Sequence, residues 1–165
     1  MTCGPWRPIF LEFYIARIVD LYLTTDVDQS LGSAEVKVRA DIEGEADEVR
    51  FYISCGGDLV GSETVKVEHS VAQATFKTTR PRLWYPRKYG EQTLYKLEAS
   101  LLAGEKPLDS SVKRFGLRRA QVVQRRFEDA VGTSFTFEIN SPPIFCGGSN
   151  WIPADSFVSR ISPHE

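Results

Sequence analysis

Residues 34–42, Ala-Glu-Val-Lys-Val-Arg-Ala-Asp-Ile, alternate apolar and polar without a break. Ala34, Val36, Val38, Ala40 and Ile42 fall on one side; Glu35, Lys37, Arg39 and Asp41 fall on the other. An amphipathic helix needs apolar residues at every third or fourth position, so a period of two over this length calls instead for a strand with one face buried and one wet. Such a strand commits the chain to a sheet, and a sheet with an apolar face needs a second layer to cover it.

The flanking sequence supplies the partners. Val49, Phe51 and Ile53 repeat the alternation up to Cys55-Gly56-Gly57-Asp58, where paired glycines offer the positive φ of a tight hairpin, and Leu59 to Val67 returns. Val71 to Phe76, Leu94 to Leu101 and Ser111 to Leu117 read as further strands, the last two joined by a turn at Gly104-Glu105-Lys106-Pro107. Upstream, Leu11 to Leu23 alternates roughly, with a slip near Ala16-Arg17 that predicts a bulge or two joined strands. Its Tyr, Ile, Val and Thr content favours strand over a short helix. Thr24 to Ser30 reads as a polar turn, since Asp26 and Asp28 lack the further ligands and the glycine of a calcium loop. Thr79 to Gln92 holds prolines together with Trp84, Tyr85 and Tyr89, which predicts a long packed loop. Three uses are open to those aromatics: docking against a neighbouring domain, packing in the core, or forming a sugar-binding platform.

About seven strands separated by turn signals at this spacing is the pattern of an all-β, immunoglobulin-like antiparallel β-sandwich. The Cys…Trp…Cys spacing of antibody domains is missing, so the expected sandwich is held by its core rather than by an inter-sheet disulfide. Cys3, Cys55 and Cys146 are odd in number and far apart, which argues against both a disulfide scaffold and a zinc site.

A net charge of −2 gives no general attraction for nucleic acid or for an anionic membrane surface. No apolar run approaches the roughly 20 residues that span a bilayer. Lys113, Arg114, Arg118, Arg119, Arg125 and Arg126 form a basic cluster, but Glu128 and Asp129 adjoin it and only Phe115 and Phe127 interleave. That composition reads as a solvated strand face or an inter-domain ion-pair surface rather than a base-stacking groove. His69 and His164 stand alone, without ligand spacing or a paired nucleophile, and are expected to be exposed. No phosphate-binding glycine loop or nucleophile elbow is present, so neither a cofactor nor a metal is expected. Neither Asn140 nor Asn150 sits in an N-glycosylation sequence, and the first residues lack a secretion signal. A reducing, cytoplasmic setting is the expectation.

After Arg119 the character changes. Val122 to Phe127 and Phe135 to Ile139 flank Glu128-Asp-Ala-Val-Gly132, which predicts a separate hairpin. Pro143, Ile144 and Phe145 then make a short apolar run that breaks on Gly147-Gly148 and presents Asn150, Trp151 and Asp155 around Ile152-Pro153. An indole face stacks on a pyranose ring while short amides and carboxylates hydrogen-bond its hydroxyls, so this stretch has the make-up of a sugar-cleft rim. A buried Trp beside a proline turn has the same composition.

Gly-Ser-Asn-Trp-Ile-Pro-Ala-Asp-Ser-Phe, residues 148–157, is very similar to a motif of the β-mannosidases of glycoside hydrolase family 2. Gly4-Pro-Trp-Arg-Pro8, running on through Leu11-Glu12 to Ala16-Arg17-Ile18, resembles the segment that leaves that family's sugar-binding domain. Leu83-Trp-Tyr-Pro86, followed by Tyr89-Gly-Glu-Gln92 and Leu94-Tyr95, resembles its second-domain signature. The resemblance implies three parts: a connector over 1–11 from an absent sugar-binding domain, the sandwich over 12–119, and a truncated start of a catalytic (β/α)8 barrel over 120–165. It implies a parent that removes terminal β-D-mannose with retention, using two glutamates on later barrel strands that have no counterpart here. No catalytic residue is therefore assigned, and neither Asp155 nor Glu165 suggests an acid pair. Asn150, Trp151 and Asp155 are implied to bind substrate in the full-length parent only, with Asp155 equally suited to locking its own loop. The implied partners are the flanking domains. A stand-alone carbohydrate-binding module and a protein-interaction domain are the alternatives.

Overall fold

Seven strands assemble into two antiparallel sheets: β1 (Ala16–Val27), β2 (Ser33–Gly44), β3 (Glu48–Cys55), β4 (Asp58–Lys66), β5 (Val71–Thr79), β6 (Tyr95–Ala103) and β7 (Lys106–Phe115). One sheet has the order β1-β2-β5 and the other β4-β3-β6-β7. The constant-type immunoglobulin arrangement puts its fourth strand with the first sheet; here β4 instead pairs with β3. The computed structural model describes residues 4–5, 7–152, 154–157 and 160–161. Two compact units emerge, Tyr14–Ile144 and a second made of Met1–Phe13 with Phe145–Glu165. His164 lies outside the described residues; His69 is exposed.

The alternation of β2 is realised as the sequence requires. Its apolar set is at most 5% exposed, while its other face carries the ion pairs Lys37–Glu35, Lys77–Glu35 and Arg39–Asp41. The apolar set shares one core cluster with Phe51 and Ile53 of β3 and Leu97 and Leu101 of β6. Alanines at 34, 40, 72, 74 and 99 in this cluster leave room for the large side chains. The β3–β4 hairpin turns on Gly56 and Gly57, with φ of 62° and 94°, the mirror-image turn that matches strand twist and that side chains with a Cβ resist.

Among the sandwich strands, boundaries depart from expectation most in β1 and β7, and β5 runs on to Thr79 rather than Phe76. β1 begins at Ala16 and runs on to Val27 rather than occupying residues 11–23. The alternation of Leu11, Phe13 and Ile15 is not used, because Ala16 already pairs with Gly44 and β2 ends there. The slip falls a little later than its sequence position, as a register shift between Ile18 and Asp20. β7 likewise starts before Ser111, taking in Pro107 opposite a bulge at Leu101/Leu102, where an edge strand tolerates a missing N–H.

Two of the four edge strands, β1 and β7, are linked to each other by side chains instead of a ladder. Asp109 accepts from the Ile18 N–H at 2.8 Å, and Lys113 donates to the Leu21 carbonyl. Asp20, on the bulge, accepts from the Tyr22 hydroxyl and the Leu21 amide, which holds its carboxyl below the usual range. Free edges invite pairing with other chains, and these contacts occupy two of the β1 backbone groups that would do so.

Asp28 organises the β1–β2 turn, accepting from the Ser30 and Ser33 amides and the Ser33 hydroxyl. The Ser30 and Ser33 hydrogen bonds lower its pKa to about 2. An unfolded Asp titrates near 3.9, so this contribution is fully present above about pH 4 and is lost as pH falls toward about 2. Asp28→Asn is therefore expected to lower the urea midpoint at pH 7, with the gap to wild type closing as the pH drops through that window. A gap that does not change with pH would contradict this role for the carboxylate.

Candidate functional site

Asn150, Trp151 and Asp155 lie in the unit formed by the chain's two ends, on backbone without regular structure. Trp151 is 81% exposed and Asn150 is exposed beside it. Asp155 folds its own loop: one oxygen accepts from the Phe157 N–H at 2.7 Å and from Arg160 Nη2 at 2.9 Å. The Arg160 guanidinium in turn covers the Phe157 ring at 4.5 Å. An Asp bonded to the amide two residues on is a self-contained turn, so Asp155 takes the loop-locking contact while the indole stays open.

Within the other unit, the loop of residues 80–92 is tied down along its length. The Arg82 N–H donates to the Tyr95 hydroxyl at 2.8 Å, and burial pushes that phenol above its ordinary value. A tyrosine at the head of the sixth strand bonding back to upstream backbone is a corner familiar in such sandwiches, although here the hydroxyl accepts. Tyr95 also stacks on Phe115 at 5.5 Å. Trp84 donates its N–H to the Leu117 carbonyl at 2.8 Å, and Tyr85 donates to Glu91. The indole lies over Gly116, where a Cβ would come within 2.8 Å of Trp84, and Arg118 stacks at 4.9 Å from its ring. Trp84 and Tyr85 are thus half-buried within the unit, while Tyr89 is exposed.

Beyond β7 a third sheet forms, of order β10-β9-β8, from β8 (Ala120–Val123), β9 (Thr136–Ile139) and β10 (Pro143–Ile144). The hairpin expected after Arg119 forms, but its first strand lies at Ala120–Val123 rather than Val122 to Phe127, with only an isolated bridge between Arg126 and Thr133 further along, and β10 lengthens the sheet. Asn140 hooks it to the sandwich. Its side chain accepts from the Arg119 N–H at 2.9 Å and donates to the Trp84 carbonyl at 3.0 Å, and its own N–H donates to the Arg119 carbonyl at 2.8 Å. Asn140 is 2% exposed with φ at 54°, a conformation that Asn adopts more readily than most residues. The sequence reading gave neither residue a tethering role: Tyr95 entered only as part of the second-domain signature and Asn140 only as lacking a glycosylation sequence. The signal for Asn140 was an asparagine at a strand end before Ser-Pro-Pro; Tyr95 was hidden among other alternating core residues.

The basic cluster disperses into separate contacts. Lys113 binds the β1 edge, Arg118 stacks on Trp84, Arg119 reaches Gln121 at 3.2 Å, and Arg125 faces Glu138 at 4.0 Å. A surface cavity of about 480 Å³ is lined by Arg39, Lys66, Glu68, His69 and neighbours, with a single carboxylate. A second, of about 10 Å³, lies among Val36, Ile53, Phe76 and Leu117 and has no acidic lining. Among the described residues no group of three or more His, Cys, Asp or Glu is arranged for a metal, and no helix is long and apolar enough to cross a membrane. Cys55 is free and buried, Cys146 free and exposed.

Residues 16–118 match the family model for glycosyl hydrolases family 2, a span that takes in β1 to β7. The chain belongs to that family. It is 52% identical over 164 residues to "Beta-mannosidase B" of Thermothelomyces thermophilus, covering 98% of this chain and 19% of the relative. "Beta-mannosidase B" of Emericella nidulans is 39% identical over 167 residues, covering 99% of this chain and 20% of that one. The chain therefore spans about a fifth of the length of the curated relatives it matches. Among solved structures, Bifidobacterium dentium beta-glucuronidase superposes with a TM-score of 0.62 at 25% identity, over 79% of this chain and 21% of that one. Parabacteroides merdae beta-glucuronidase reaches 0.64 at 16% identity over 79% and 16%, which speaks to the fold alone. For this family 2 chain the expected resemblance and the β-sandwich both hold.

The Asn140 hook carries a measurable consequence. Asn140→Ala removes both side-chain bonds and leaves the Arg119 N–H and Trp84 carbonyl without them, at an expected cost of about 2–4 kcal/mol in urea unfolding. A loss under about 0.5 kcal/mol, the range of ordinary surface substitutions, would show that the hook does not hold the third sheet.

Proposed function

We propose that this chain is the non-catalytic β-sandwich portion of a retaining β-mannosidase whose complete form releases terminal, non-reducing β-D-mannose from mannosides. The observation that carries this reading is similarity over nearly the whole chain to β-mannosidase B relatives five times its length, with the 148–157 motif included. Retaining hydrolysis needs two carboxyl groups roughly 5–5.5 Å apart. The two reacting carboxyl groups belong, on this reading, to the remainder of the parent.

On this reading residues 1–11 connect from a sugar-binding domain, 12–119 form the supporting sandwich, and 120–165 begin the catalytic barrel. The support acts by rigidity: a core without internal charge, two edges linked by Asp109 and Lys113, and a tethered Trp84 loop hold the flanking domains in register. Asn150 and Trp151 contribute to the subsite for the terminal mannose. The exposed indole supplies the flat apolar face that a pyranose stacks on, and Asp155 fixes the turn that follows it in the chain.

A chromogenic β-mannoside assay separates the alternatives. The purified 165 residues are expected to give no turnover and no mannoside-dependent change in tryptophan fluorescence. The full-length parent should turn over, and its Trp151→Ala variant should lose about 10–100-fold in kcat/KM, the effect of one lost stacking contact. Turnover by the isolated chain would refute the non-catalytic reading. Saturable mannoside binding by it would identify a carbohydrate-binding module instead, and unchanged kinetics in the variant would remove Trp151 from the subsite.

A further inference from the structure

A surface cavity of about 480 Å³ opens at the outer face of the β1-β2-β5 sheet, and the proposed function makes no use of it. Three elements build it. Arg39 of β2 and Gln73 of β5 sit directly across from each other on the wet side of the sheet. Lys66 ends β4, and Glu68 and His69 belong to the turn that leads into β5. Val65 and Val71 add an apolar patch to the lining.

The turn is firmly held. Glu68 and Val71 exchange both backbone hydrogen bonds, at 2.9 and 3.0 Å, and the Ile42 N–H donates to the Ser70 carbonyl at 2.9 Å. His69 and Ser70 have φ of 51° and 63°, the mirror-image hairpin geometry that Asn-Gly fills most easily. A His-Ser pair there stores backbone strain, and residues held in that way cluster at ligand sites. The side chains around the cavity are also short of partners. Among the described residues, Lys66, Glu68, His69 and Gln73 make no side-chain hydrogen bond or ion pair. Asp41 takes only the Nε of Arg39, at 2.8 Å, which orients the guanidinium and leaves its two terminal nitrogens for another acceptor.

Two permanent cations and an imidazole thus line a cavity with one carboxylate. That balance suits an oxyanion, with the planar Arg39 fork on two oxygens and the Lys66 ammonium on a third. The volume exceeds what such a group needs alone and falls within the roughly 300–1,000 Å³ of small-molecule sites. Gln73 and Glu68 supply the donor and acceptor groups that hydroxyls need. We infer that this cavity binds a sugar-sized oxyanion, a phosphate or carboxylate carried on a hydroxylated ring. Arg39 and Lys66 hold its charge; Gln73 and Glu68 hold its hydroxyls. The inference stands apart from the proposed function, because a neutral mannoside offers Arg39 and Lys66 no charge.

Amide chemical shifts of the isotope-labelled 165-residue chain, followed at constant pH and ionic strength, test it. Glucose-6-phosphate and glucuronate separate the phosphate source from the carboxylate source, with inorganic phosphate and methyl mannoside as controls. At least one sugar anion should shift the amides of Arg39, Lys66, His69 and Gln73 saturably while those of β8 and β9 stay in place. Inorganic phosphate should bind the same residues more weakly, and methyl mannoside should not move them. Arg39→Gln and Lys66→Gln should each weaken binding about 5-fold, the loss of one partly exposed charge pair. Shifts that are absent or never saturate would overturn the inference, as would variants that bind like the wild type. Shifts centred on Arg118 and Arg119, or equal binding of methyl mannoside, would overturn it too. Inorganic phosphate binding as tightly as either sugar anion would reduce the cavity to a site for an adventitious ion only.

Discussion

Everything in this molecule depends on the fit between one small-featured face and one large-featured face. β2 presents Ala34, Val36, Val38, Ala40 and Ile42, and the opposite sheet answers with Phe51, Ile53, Leu97 and Leu101 in the same cluster. Because strand side chains alternate strictly, a one-residue slip of β2 would turn that whole set to water and bring Glu35, Lys37, Arg39 and Asp41 into the core. The burial of one face thus fixes the register of the sheet. Long loops can be added at the ends without disturbing it.

Those additions hang from the sandwich through a short series of polar contacts. The Tyr95 hydroxyl holds Arg82, the Leu117 carbonyl holds Trp84, and Asn140 holds both Trp84 and Arg119. Each satisfies a backbone group in a partly buried setting, so each is costly to lose. Through them the β6 core is connected to the third sheet, which has little core of its own. Stability is expected to fall in the same order, from the two-layer core to the tethered loop and then to the hooked sheet.

The period-two pattern made most of the sandwich legible. β2, β3, β5 and β6 and the Gly56-Gly57 turn follow from residue type alone, because burial and local preference agree at those positions. Leu11 to Ile15 misled, since their alternation has no partner strand once β2 ends at Gly44. The tethering roles of Asn140 and Tyr95 escaped notice because they depend on residues 21 and 13 positions away, which no local pattern encodes. In the 148–157 segment the chemistry left both a sugar-facing indole and a buried one open. The structure exposes Trp151 and gives Asp155 a turn to hold, while the family match supplies the larger context.

A two-layer core carrying a small third sheet, held by the Asn140 hook, is expected to open in two steps. Native-state hydrogen exchange on the 165-residue chain tests that claim most directly. Two levels of protection are expected: amides of β2, β3 and β6 exchanging only through global unfolding, and those of β8 and β9 through a smaller opening that leaves the sandwich intact. A single level, with the third sheet exchanging only when the core unfolds, would show that the sheet is integral to the sandwich.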